Sequence, residues 1–233
     1  METVSLSKLI SIDYNGSEAY KTLRTNIQFC GTDIRVIGLT SCIPNEGKSS
    51  VSINLAVALA QAGKKVIFVD ADLRKSVIIG RYKITKAVKG LSHYLSGINQ
   101  LEDITYKTTV DNLYMIFSGP IPPNPSELLG SRKFRTLIDV LKEKFDYIII
   151  DTPPVGSVID GAVVAKVCDG MIMVIEAEKI SYKFAQKVKN QLDKTGCKIL
   201  GAVLNKVDIS EKSYYGKYYG KYYGNYYVSS QEG

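Results

Sequence analysis

Nearly unbroken apolar runs recur along the chain, at residues 34–40, 66–69, 147–150, 171–175 and 199–204. Among them lie segments with the apolar spacing of helices. The first, 17–29, aligns Ala19, Leu23 and Ile27, with Glu18, Lys21 and Arg24 beside them; others cover 54–62, 134–144 and 182–194. Gly63 stands where a helix over 54–62 would end. Continuous apolar strands alternating with helices predict an α/β fold, a mostly parallel sheet with helices on both faces. Residues 1–16 read as a polar lead-in. After Lys212 the only aliphatic residue is Val228, and glycine recurs. Such a segment cannot bury enough surface to offset its ordering entropy, so a disordered tail is expected. The expected division is a lead-in over 1–16, one domain over 17–212 and a flexible tail over 213–233.

Bulk properties narrow this picture. At 233 residues and 45% apolar content the chain suits one well-cored domain. A net charge of +7 points to acidic partners, whether nucleic acid, an anionic membrane surface or polyphosphate ligands, but the basic residues are scattered as on a solvated face. No nucleic-acid partner is expected. Cys30, Cys42, Cys168 and Cys197 have no CxxC spacing, which reads as reduced thiols in a cytosolic protein. No apolar run approaches the ~20 residues of a spanning helix. If the protein works at a membrane, another chain must hold it there.

The chemistry gathers at the ends of the apolar runs, where ligands bind in folds of this class. Ser41-Cys42-Ile43-Pro44-Asn45-Glu46-Gly47-Lys48-Ser49-Ser50 joins a strand to a helix and ends as a phosphate loop ends. Cys42 takes the place of that motif's first glycine. Backbone N–H groups from Asn45 to Ser50 can cradle phosphate, Lys48 can reach its outer oxygens, and Ser49 can hold Mg²⁺. Asp70 and Asp72 follow the next strand, with Arg74 after them. Residues two apart on an extended chain point the same way. One carboxylate can orient Mg²⁺ while the other accepts a proton from an attacking hydroxyl. Asp151, before Thr152-Pro153-Pro154, ends a third strand in the Walker B manner.

Asn205-Lys206-Val207-Asp208 formally matches the guanine-reading motif of GTPases. The first loop glycine is missing, and no switch glycine follows Asp151, so the match reads as coincidence; Asn205 remains a candidate base contact. His93 stands without a nucleophile motif and reads as structural. The tail carries eight of the sixteen tyrosines, in pairs every four residues: Tyr214, Tyr215, Tyr218, Tyr219, Tyr222, Tyr223, Tyr226 and Tyr227. Alone, such a repeat reads as an adhesive low-complexity segment. Joined to a nucleotide site, it suggests an enzyme carrying its own substrate.

Motif order, spacing and tail resemble the bacterial protein-tyrosine kinases of capsule and exopolysaccharide synthesis and export. The resemblance extends over about residues 17–227, and includes the 119–131 segment and the 200–206 strand. It implies a P-loop NTPase-like fold and ATP and Mg²⁺ as cofactors. It implies Lys48 and Ser49 on the nucleotide, Asp70 as the base toward tyrosine, Asp72 and Asp151 serving the metal, and Arg74 in the catalytic set. Glu18, Lys21 and Arg24 occupy the family's Glu-x-x-Arg-x-x-Arg ring-forming motif. Lys21 replaces an arginine there and cannot make its planar bidentate pair, which weakens that contact. The resemblance further implies a homo-oligomeric ring, a separate membrane adaptor with an activating cytoplasmic tail, and a cognate tyrosine phosphatase. The chain would then be cytoplasmic and recruited to the inner membrane face. The competing reading is a ParA/Min-type nucleotide-switch ATPase. It shares the fold but has a signature lysine where Ile43-Pro44-Asn45 stand, and no use for a tyrosine tail.

Overall fold

The computed structural model describes residues 2–6, 14–84 and 88–208. The first elements are β1 (Thr3–Val4), α1 (Tyr14–Phe29), β2 (Val36–Ser41), α2 (Lys48–Gln61), β3 (Val66–Asp70), α3 (Ile78–Arg81), α4 (Leu91–Leu95) and α5 (Leu101–Ile104). There follow β4 (Thr105–Thr108), β5 (Leu113–Ile116), α6 (Pro125–Gly130), α7 (Arg132–Lys144), β6 (Tyr147–Asp151), α8 (Asp160–Ala165), β7 (Gly170–Glu176), α9 (Tyr182–Asp193) and β8 (Ile199–Asn205). The strands form one sheet in the order β1-β4-β5-β3-β6-β2-β7-β8. Neighbours run parallel throughout, except for the antiparallel pair of β4 and β5.

Alternation along the central strands feeds two cores. Ile37, Leu39, Val66, Phe68 and Ile149 pack with Leu55, Ala56 and Leu59 of α2 on one face. Val36, Ile67, Val69, Ile148 and Ile150 pack with Phe134, Leu137, Ile138 and Leu141 of α7 on the other. A third cluster joins Met171 and Met173 of β7 to Val188 and Leu192 of α9. Helices therefore cover both faces, as the apolar runs predict.

Three features differ from the sequence-based expectation. Within the supposed lead-in, β1 pairs with β4, and Val4 and Leu6 are buried. A two-residue strand is too short to show a period. The pair of β4 and β5 is absent from the predicted set, because four residues are too few to show a period and β4 mixes Thr, Tyr and Lys as a loop does. Finally, α2 begins at Lys48 rather than near residue 54. Ser49, Ser50, Ser52 and Asn54 hide its apolar period, and the Ser52 hydroxyl donates to the Lys48 carbonyl at 2.9 Å. The tail tyrosines lie outside the described residues.

Candidate active site

The loop between β2 and α2 lies beyond the C-terminal end of β2, an interior strand of the sheet. It turns through two left-handed residues, Asn45 (φ 69°) and Gly47 (φ 87°). Gly47 is doubly constrained: a Cβ there would also collide with Asn205 Nδ2. The buried Glu46 carboxylate braces the loop from within. Its Oε2 accepts from the N–H groups of Cys42 (2.7 Å) and Ile43 (2.8 Å), and Oε1 accepts from Glu176 N (3.2 Å). Burial and the Glu46 charge push the Cys42 thiol up to about 12, so it is no nucleophile. No side chain caps the start of α2 at Gly47. The first-turn N–H groups and the helix dipole thus suit an anion.

Two carboxylates meet at adjacent strand ends, Asp70 of β3 lying in register with Asp151 of β6. Asp151 Oδ1 accepts from Lys48 Nζ at 2.8 Å and from the Ser52 hydroxyl at 2.9 Å. Its Oδ2 is buried without a partner. Lys48 is itself buried, and the pairing offsets the cost of sequestering its charge. Lys48 Nζ also lies 3.3 Å from the Ser49 hydroxyl. Asp70 accepts from Asp72 N at 3.2 Å and from the Ser76 hydroxyl. Burial first, and the Asp151 charge second, push its carboxyl up to about 7. Asp72 shapes the following turn by accepting from Arg74 N (3.3 Å) and Lys75 N (2.9 Å).

Arg74 points to a partner that its motif does not contain. Its Nε and Nη2 bind the two oxygens of buried Asp160 at 2.7 and 3.0 Å, and Nη2 reaches Ser126 Oγ at 3.1 Å. Ser126 donates to Asp160 at 2.6 Å. Burial raises the Asp160 carboxyl, but the bonds from Arg74 and Ser126 outweigh it and hold the group below its ordinary value. Sequence reasoning missed Asp160 and Ser126. The signal for Ser126 lay within the 119–131 segment; Asp160, which opens α8, is a single Asp in an apolar stretch.

The remaining candidates divide. Ser50 follows Ser49 in the first turn of α2 and receives the Arg81 guanidinium. Asn205 Nδ2 donates to Glu46 O at 2.8 Å, placing it against the loop backbone. Glu18, Lys21 and Arg24 sit apart on α1: Lys21 pairs with Glu18 at 2.6 Å, and Arg24 donates to Ala58 O at 3.1 Å. His93 Nδ1 accepts from Gly90 N at 3.1 Å.

The residues present fit a metal–nucleotide complex. Asp151 Oδ2 is a buried acceptor awaiting a donor or cation, and the start of α2 at Gly47 has no side-chain cap in front of its N–H groups. Among the described residues no three His, Cys, Asp or Glu gather into a metal cage. Mg²⁺ seldom uses one, taking one or two carboxylates and completing its octahedron with phosphate oxygens and water.

A family model described as an AAA domain matches residues 35–200. The chain is 46% identical to the tyrosine-protein kinase CpsD of Streptococcus agalactiae over 205 residues, covering 86% of this chain and 90% of that protein. The kinase domain of the Escherichia coli tyrosine kinase ETK superposes with a TM-score of 0.82 at 32% identity, covering 88% of this chain and 83% of that one. The septum site-determining protein MinD of Pyrococcus horikoshii, complexed with Mg-ADP, gives 0.66 at 30% identity, covering 80% and 76%. The nucleotide-switch fold is thus shared, but the identity and coverage with CpsD decide kinship: this chain belongs to the bacterial tyrosine-protein kinases.

Proposed function

We propose that the protein is an ATP- and Mg²⁺-dependent kinase that phosphorylates the tyrosines of its own tail, Tyr214 to Tyr227, between subunits of a ring. The observation that carries this reading is the convergence of Lys48, Ser49, Asp70, Asp72 and Asp151 at one end of the sheet, beside a loop shaped for phosphate. Lys48 binds the outer phosphate oxygens, exchanging part of its bond to Asp151 for them. Asn45 to Ser50 cradle the phosphates through backbone N–H groups. Asn205, already against the loop, borders the base. Ser49, Asp72 and Asp151 hold Mg²⁺, with Asp151 Oδ2 as its free acceptor. Bound Mg²⁺ supplies positive charge against the charge developing on the transferred phosphoryl group.

Asp70 serves as general base. A tyrosine phenol titrates near ~10, so attack on phosphorus needs a proton acceptor at hand. A carboxyl at about 7 is a stronger base than an ordinary aspartate yet still ionised in a good fraction at neutral pH. As the phenol oxygen forms its bond to phosphorus and the bond to the ADP oxygen breaks, Asp70 takes the phenolic proton. Arg74, tied to Asp160 and Ser126, buttresses the turn that carries Asp70 and Asp72.

The resemblance extends the reading to biology. The kinase would regulate capsule or exopolysaccharide synthesis and export, be recruited to the membrane by an adaptor with an activating cytoplasmic tail, and be reset by a tyrosine phosphatase. The test is incubation with Mg-ATP and mapping of phosphotyrosine by mass spectrometry, with the adaptor tail added in a parallel sample. The wild type acquires phosphate on Tyr214 to Tyr227, and Lys48→Met alone acquires none. Phosphate on the Lys48→Met chain when mixed with active enzyme establishes transfer between subunits. ATP turnover with bare tyrosines under both conditions would replace this reading with the nucleotide switch.

A further inference from the structure

The Asn205-Lys206-Val207-Asp208 sequence matches a base-reading motif, yet its first two side chains turn to the phosphate loop. Lys206 has a left-handed backbone (φ 56°), a conformation few non-glycine residues adopt. Its half-exposed ammonium donates to the Asn45 carbonyl at 2.7 Å and to Glu176 Oε2 at 3.0 Å. Asn205 Nδ2 donates to the next carbonyl, that of Glu46, at 2.8 Å. The carboxylate of Glu46 in turn accepts from Glu176 N at 3.2 Å, and Ala177 N donates to Asn205 O at 2.9 Å. The ends of β7 and β8 thus grip two consecutive loop carbonyls.

Peptide geometry gives this grip a consequence. In a trans peptide the N–H points opposite to the C=O. Fixing the carbonyls of Asn45 and Glu46 toward β8 turns the N–H groups of Glu46 and Gly47 away from it. Successive N–H groups aimed to one side form an anion-binding concavity. Asn45 and Gly47 hold left-handed conformations on either side of Glu46; glycine adopts this one freely, but at Asn45 it costs energy and needs support from neighbours.

We propose that Lys206 is a positioning residue of the phosphate loop: its ammonium bridges the Asn45 carbonyl and Glu176 and presets the loop N–H groups for polyphosphate. The proposal rests on the nucleotide-site reading above. It assigns Lys206 no contact with the nucleotide, and it gives Glu176 the task of orienting Lys206.

The test is equilibrium binding of a fluorescent methylanthraniloyl-ADP with Mg²⁺ to the full chain, compared with thermal melting of the nucleotide-free protein. Lys206→Met weakens binding about tenfold while its melting midpoint stays near that of the wild type. Lys206→Arg, which restores a cationic donor, recovers binding to within about threefold. Glu176→Gln falls between the two. Wild-type binding that Lys206→Met leaves unchanged overturns the clamp and spares the nucleotide site. Equal loss in Lys206→Met and Lys206→Arg, with matching drops in melting midpoint, assigns the residue to stability and also overturns it. A wild type that binds no nucleotide removes the site and the clamp together.

Discussion

Asp70 shows how a single residue trades stability for chemistry. Its carboxyl ionises near 4 when the chain is unfolded but at about 7 in the fold. Below about pH 4 the group is protonated in both states and costs the fold nothing. Between about pH 4 and 7 only the unfolded chain releases the proton, so stability falls as pH rises, and above about 7 the penalty is complete. Asp70→Asn should therefore raise the nucleotide-free melting midpoint at pH 8, by the equivalent of about 4 kcal/mol, with almost no gain at pH 4. An offset of equal size at both pH values would mean that ionisation of Asp70 is not its source. Lys48→Met should act oppositely, costing about 3 kcal/mol by leaving the buried Asp151 carboxylate without its counter-charge. Urea titration of the two variants beside the wild type separates these effects. Legibility at this scale follows sequence distance. Lys48, Asp70, Asp72 and Asp151 are readable because each ends or follows an apolar run in a recognisable order. The bond from Arg74 to Asp160 spans 86 positions, and nothing local announces it.

At the scale of elements, packing between backbones sets what the site tolerates. The turn after β6 passes so close to the phosphate loop that a Cβ on Gly156 would overlap the Cys42 carbonyl oxygen. Neither partner is a flexible side chain, so one backbone must move. Gly156→Ala should weaken Mg-nucleotide binding more than about tenfold, which calorimetric titration would detect. The helix over Arg132–Lys144 makes a contrasting case. Ser131 accepts from Phe134 N at 3.2 Å, and Ser131→Ala should cost about 1 kcal/mol in urea unfolding with nucleotide affinity unchanged. Long elements were legible because five or more periodic residues carry a signal of their own. The strands at Thr3–Val4, Thr105–Thr108 and Leu113–Ile116 were not, since partners distant in sequence define them.

At the scale of the whole molecule, charge links the domain to its tail. Each phosphate adds about −1.5 to −2 charges, so eight modified tyrosines outweigh the net +7. The phosphorylated protein should assemble less than the Lys48→Met protein, as read by native mass spectrometry or light scattering; identical masses would refute a phosphorylation-driven cycle. Among the described residues no helix is long and apolar enough to cross a membrane. The sheet order has one more outcome, at the ribosome. The strand that carries the phosphate loop sits between β6 and β7, both encoded far downstream. Thr152, which holds the Leu39 carbonyl, lies 113 residues later. At synthesis rates of about 5–20 residues per second, that strand waits roughly 6–20 s with both edges bare. The nascent chain thus passes through an interval in which a strand fully buried in the final fold has no partners yet, a window for chaperone capture or for aggregation.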